Sequence, residues 1–123
     1  MNVEEHFKTP IWVENKNEFV TSLNNSSDKY IKEAKKKQKE YIKMYGDFGT
    51  SYHSTPLTND NDFLDFRNYI GQKSAEFLDW QGFDMSQYVA MFSEMWVQEF
   101  SKKGGGHHSA HVHSNDISWI SRT

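Results

Sequence analysis

What constrains this chain most is how little apolar material it has and how much of that material is aromatic. Nine Phe, six Tyr and four Trp make up 15% of the 123 residues, while hydrophobic residues of every kind reach 36% and mean hydropathy is −0.86. A polar chain this rich in rings is not of the disordered kind, so a folded unit built around an aromatic core is expected. The length suits one domain, spanning 1–123. The longest uninterrupted apolar run is Tyr88-Val89-Ala90-Met91-Phe92, too short for a membrane span or a signal-peptide core, and the expectation is a cytoplasmic protein without a membrane partner. Zero cysteines exclude disulfides and thiolate metal sites, so any metal must be held by His, Asp or Glu.

Charge is unevenly distributed. Residues 28–43 carry seven Lys against Asp28, Glu33 and Glu40, and residues 44–100 carry nine acids against Arg67 and Lys73. Tyr30, Ile31, Ala34, Tyr41 and Ile42 recur at helical spacing, which predicts a helix capped by Ser27 and ended by Gly46. Its lysines read as a solvated face; with net charge −3 and no aromatic platform interleaved with Lys35-Lys36-Lys37, nucleic acid is not an expected partner. Before it, Pro10-Ile11-Trp12-Val13 reads as a short strand, and Asn15 with Glu18 has the spacing of a capping box opening a short helix through Leu23. A further helix is predicted over about 61–80, with Phe63, Phe66, Ile70, Ser74, Phe77 and Leu78 on one face, Asn59 or Asp60 as cap and Gly82 as breaker. Between these helices, 46–58 reads as a loop.

From Tyr88 to Phe100 the pattern alternates as in a strand, or two strands joined by a bend, although Met91, Phe92, Met95, Trp96 and Glu99 also suit a helix. The chain therefore divides into a helical region of about 1–82 and a strand region of about 83–123. Other catalytic arrangements are poor. Glu94 and Glu99 stand at odd spacing and do not share a strand face, and Gly104-Gly105-Gly106 lacks the Lys-Ser or Lys-Thr of a phosphate loop. His53 reads as a surface residue, and His6 has no evident partner.

Four of the six histidines, His107, His108, His111 and His113, fall within seven residues, behind a glycine run and just ahead of Asp116. Ser109, Ala110 and Val112 interrupt the run and an apolar, strand-like segment follows, which argues against an appended tag. Solvated histidines without a role are the bland alternative. Imidazoles beside a carboxylate are borderline ligands suited to Fe(II), Zn, Ni or Cu. On an extended backbone His111 and His113 share a face, while His108 points the other way and His107 joins the pair only if the strand begins that early.

Trp96-Val97-Gln98-Glu99-Phe100, followed by Gly104-Gly105-Gly106-His107-His108 and His111-Val112-His113-Ser114-Asn115, resembles the phage-associated branch of the 2-oxoglutarate- and Fe(II)-dependent oxygenases. Thr9-Pro10-Ile11-Trp12 and the stretches Phe77-Leu78-Asp79 and Gly82-Phe83-Asp84-Met85-Ser86 resemble that family's N-terminal half. The resemblance implies an α+β fold in which helices precede the first strands of a double-stranded β-helix, or jelly-roll. It implies Fe(II) and 2-oxoglutarate as cofactors and a hydroxylation-type oxidation in the host cytoplasm. His111 matches the first iron ligand. His113 occupies the second position, where most of the wider superfamily has a carboxylate, and either His113 or Asp116 completes the pair. The family continues with strands bearing a distal His and a basic cosubstrate anchor. Here Ile117-Ser118-Trp119-Ile120-Ser121-Arg122-Thr123 follows, and Arg122 lies too close in sequence for the anchor role. The expectation is a shortened jelly-roll, inactive alone, complemented by a C-terminal fragment or self-associating through sheet edges and Phe92, Trp96, Phe100, Trp119 and Ile120. The alternative is a non-catalytic, histidine-rich metal-binding or interaction module.

Overall fold

A computed structural model describes residues 8–47, 51–89 and 91–103. Among these residues, three helices and a two-stranded antiparallel sheet form an α+β arrangement. The elements are α1 (Asn17–Lys37), α2 (Lys39–Tyr45), β1 (Ser51–His53), α3 (Leu64–Trp80) and β2 (Gln98–Phe100), with single 3₁₀ turns at Asn61–Phe63 and Met85–Gln87. No described helix is long and apolar enough to cross a membrane.

Helix α1 begins earlier than the Tyr30 stripe predicts. The expected short helix through Leu23 and the lysine-rich helix are one element of 21 residues, and Ser27 lies inside it. Asn24-Asn25-Ser26-Ser27 contains neither Gly nor Pro, so nothing in it breaks the ladder, and Phe19 anchors the first turn. Its ring meets Phe66 edge-on at 5.4 Å and Tyr69 at 5.3 Å, both on α3. The Asn15 capping box does not form: Lys16 occupies the N-cap without a side-chain cap bond.

The break comes at Gln38, a single turn residue between α1 and α2. Backbone bonds still cross it, from Gln38 to Ala34 and from Ile42 to Gln38, and its side-chain amide donates to the Ser51 carbonyl at 3.1 Å, tying the bend to β1. The bend shifts the helical phase. Ile31 and Ala34 are buried as the stripe predicts, but Tyr41 turns outward and lies beside Tyr45 at 4.9 Å. Gly46 ends α2 at φ +80°, where a side chain would be strained.

Helix α3 matches its sequence signals closely. Asp60 accepts the Asp62 amide at 2.9 Å and opens the 3₁₀ turn that leads into the helix. Phe63 and Ile70 are buried, and Gly82 turns the chain away at φ +95°. Mid-helix Gly71 has an accommodating environment: a Cβ there would meet Phe92 Cε2 at 3.7 Å, ordinary van der Waals contact. Gly71→Ala is therefore expected to stabilise the fold by about 0.5–1 kcal/mol, the usual helix penalty of glycine, seen as a higher denaturant midpoint at unchanged slope.

The strands depart most from expectation. Residues 10–13 form no strand; they run alongside α3, with Trp12 edge-on to Phe77 at 5.8 Å and Lys73 over its indole at 5.2 Å, while Ile11 and Val13 face outward. The predicted loop contains β1, which also puts a strand in the helical region. From 88 to 97 the described chain is irregular and only Gln98–Phe100 is strand. The register pairs Ser51 with Phe100, Tyr52 with Glu99 and His53 with Gln98. Beyond it the two segments stay laced: Ser54 donates its amide to Val97 at 3.0 Å, Val97 donates back to Ser54 Oγ at 3.0 Å, and Leu57 donates to Met95 at 2.8 Å. These side-chain and offset bonds replace a regular ladder, and Leu57 is thereby drawn into the core.

The core is less aromatic than composition implies. Among the described residues its buried apolar members are Ile31, Ala34, Tyr52, Leu57, Phe63 and Ile70. Among the described residues the other rings divide evenly between half-buried and exposed positions, because wide amphipathic side chains can cover a small core while keeping one edge wet. Of the apolar residues expected at an uncovered face, Phe92 is half-buried and Trp96 and Phe100 are exposed, while Trp119 and Ile120 lie outside the described residues.

Candidate functional site

The sequence-predicted metal residues His107, His108, His111, His113 and Asp116 all lie outside the described residues. The described structure does define the approach to them. Strand β2 delivers the chain to Ser101, a buried serine whose hydroxyl donates to the Asp47 carbonyl and accepts the Lys103 amide at 3.2 Å. Asp47 also takes the Tyr52 hydroxyl on its carboxylate. Asp47 thus clamps both strands just ahead of Gly104. The carboxylate contact, with burial next, pushes the Tyr52 phenol up to about 12, so Tyr52 serves as a neutral donor. On the outer side Lys35 of α1 pairs with Glu99 and lies 5.1 Å over the Tyr52 ring, fastening the helix to the sheet.

His53 is exposed on β1, and its ring stacks on Trp96 at 5.3 Å and 23°. Its Nδ1 lies 2.8 Å from the Ser54 carbonyl, an acceptor only, so Nδ1 is the donor in that contact. The sequence reads His53 as a surface residue, and it is one, but the sheet register brings it against the Trp96–Phe100 segment that leads into the histidine block. Among the described residues no three His, Asp or Glu side chains form a group able to hold a metal.

A second charged cluster serves stability. Asp60 accepts the Tyr30 hydroxyl, the Asp62 amide and Lys29 Nζ, the last at 2.9 Å. The Tyr30 hydrogen bond foremost, then the Asp62 amide and Lys29, lower the Asp60 carboxyl from an ordinary 3.8 to about 2. A carboxyl depressed in the folded state contributes stability above its unfolded value, and that contribution is lost as pH falls from about 4 through 2. Tyr30→Phe keeps the ring against Phe63 and removes the hydroxyl. It is expected to cost about 1 kcal/mol at neutral pH and to flatten the acid limb of a thermal-melt series between pH 4 and 2.

One concave surface stands out that hydrophobic patterning did not mark. Leu64, Arg67, Asn68, Gly71 and Gln72 recur at i, i+3, i+4, i+7 and i+8 on α3, forming a second stripe beside the core-facing one. Met91 and Phe92 face this stripe, and Thr58 and Asn59 complete the lining of an open groove of about 590 Å³. The stripe could have been found from Arg67, one of two basic residues in the acidic 44–100 stretch, had polar helical periodicity been weighed alongside apolar.

No protein-family model, no curated protein and no solved structure matches the chain.

Proposed function

We propose that this chain is a 2-oxoglutarate- and Fe(II)-dependent oxygenase-like protein in which His111 and His113 hold the iron and Asp116 is a further donor. The observation that carries this reading is the spacing His111-x-His113 behind Gly104-Gly105-Gly106, entered from the Trp96–Phe100 segment. The donor set suits the metal: neutral imidazoles with a carboxylate are borderline and hard ligands of the kind ferrous iron accepts, and no thiolate competes. The antiparallel pairing of β1, which precedes α3, with β2, which follows it, is an α+β arrangement and does not conflict with a jelly-roll.

When bound, Fe(II) and 2-oxoglutarate supply an oxidant for a C–H bond of the substrate. The chain's own residues would hold and orient the metal through His111 and His113. The Asp47, Tyr52 and Ser101 contacts tie β1 and the end of β2 together, a few residues before the histidine block in sequence.

Anaerobic addition of Fe(II) and then 2-oxoglutarate to the full chain is expected to produce the visible charge-transfer absorption of a chelated complex. Tight metal binding with no such band would instead favour a non-catalytic metal-binding module. Absence of metal binding would remove both readings.

A further inference from the structure

The α3 groove has the composition of a ligand site. Arg67 is half-buried in its wall, and among the described residues it makes no ion pair, hydrogen bond or ring contact. Several described lysines are paired instead: Lys29 binds Asp60 and Asp62, Lys35 binds Glu99, and Lys73 binds Glu76. In a chain of net charge −3, a guanidinium left without a carboxylate while acids are abundant is a group with coordination to spare.

What stands beside Arg67 narrows the ligand. Asn59, Asn68 and Gln72 add carboxamides, which both donate and accept, and Leu64, Met91 and Phe92 add an apolar wall. Met91 is 86% exposed, so the wall is available to a ligand. One planar guanidinium with neutral amides matches a monovalent carboxylate, which it can grip in bidentate fashion. A divalent phosphate would call for more than one positive charge, and no lysine lines the groove. The apolar wall asks for a ligand whose body is hydrocarbon. The volume, about 590 Å³, is within the range of small-molecule sites.

From this geometry we propose that the groove between α3 and the 91–92 segment binds a small carboxylate with an apolar body, its carboxylate on Arg67 and its body against Phe92 and Met91. The site is independent of any metal, so its test is separate from that of the oxygenase reading.

The probe is 3-phenylpropionate, followed by amide chemical shifts of the ¹⁵N-labelled full chain. Saturable shifts are expected at Arg67, Asn68, Gly71 and Gln72, with a Kd on the order of millimolar for so small a molecule. Removing the charge from either side should weaken binding roughly tenfold: Arg67→Gln against the same probe, or 3-phenylpropanamide against the unaltered protein. Arg67 has no partner in the described fold, so Arg67→Gln should melt within a few degrees of the parent. The uncharged probe gives the same reading without any substitution. Shifts that do not saturate, that map away from the groove, or that are equal for the acid and its amide would overturn the proposal.

Discussion

Leu57→Ala is expected to remove a large part of the stability of this fold, about 3–4 kcal/mol, read as a lower denaturant midpoint and a melting point lower by roughly 10 °C or more. Leu57 is 2% exposed and, with Phe63, is among the most deeply buried apolar side chains of the described residues. Truncation removes apolar contact and leaves a cavity whose lining cannot follow. The backbone on either side is held by Leu57 donating to Met95 at 2.8 Å and by Asp60 donating to the Leu57 carbonyl at 3.0 Å. A rigid frame relaxes poorly, which keeps the cost away from the lower end of the usual leucine range. A domain of this size carries only about 5–15 kcal/mol in total, so the variant would approach the unfolding threshold. Leu64→Ala is the matched control: Leu64 is 41% exposed on the groove, and its loss should cost about 1 kcal/mol or less. Equal losses for the two variants would show that the 54–60 segment is not part of the cooperative core.

The second large effect is expected in the histidine block. His111→Ala or His113→Ala should lower Fe(II) affinity on the order of a hundredfold and abolish the 2-oxoglutarate absorption band. Loss of an outer partner alone typically costs 10- to 100-fold, and a direct ligand is worth at least that. His108→Ala should have an effect below about tenfold, since on the extended backbone proposed for this segment position 108 falls on the face opposite 111 and 113. Asp116→Asn keeps the shape and removes the charge; a loss comparable to that of His111→Ala would assign it a direct bond to the metal. If the three histidine variants weaken the metal equally, the block acts as a flexible chelating stretch and the alternating-face assignment fails. Melting curves in the absence of metal separate ligand loss from unfolding.

Parts of the structure were legible from local signals because the interactions that form them are local. Helix α3 is such a case: an aspartate cap at Asp60, buried residues at Phe63 and Ile70, and Gly82 at positive φ all act within a turn or two of chain. The burial of Ile31 and Ala34 on α1 is another, since a stripe at helical spacing has one way to face a core. For the histidine block, sequence alone determines that four imidazoles and a carboxylate stand close together and that any metal taken up must bind through nitrogen or oxygen.

Other features depended on partners distant in the chain. Strands of three residues are too short for alternation to reveal them, and β1 exists because Tyr52 meets Glu99 and His53 meets Gln98 across the sheet. The segment at 10–13 has strand-like composition but no neighbouring edge, so Trp12 settles on Phe77 instead. Helix α1 runs through a polar stretch suited to caps because Phe19 finds Phe66 and Tyr69 on α3. The groove beside Arg67 likewise forms only when the 91–92 segment is brought opposite α3. Composition and spacing thus determined which residues could cap, bury or ligate. Tertiary structure decided which of them met, because hydrogen bonds and ring contacts across the fold outweigh local preferences of a few tenths of a kcal/mol per residue.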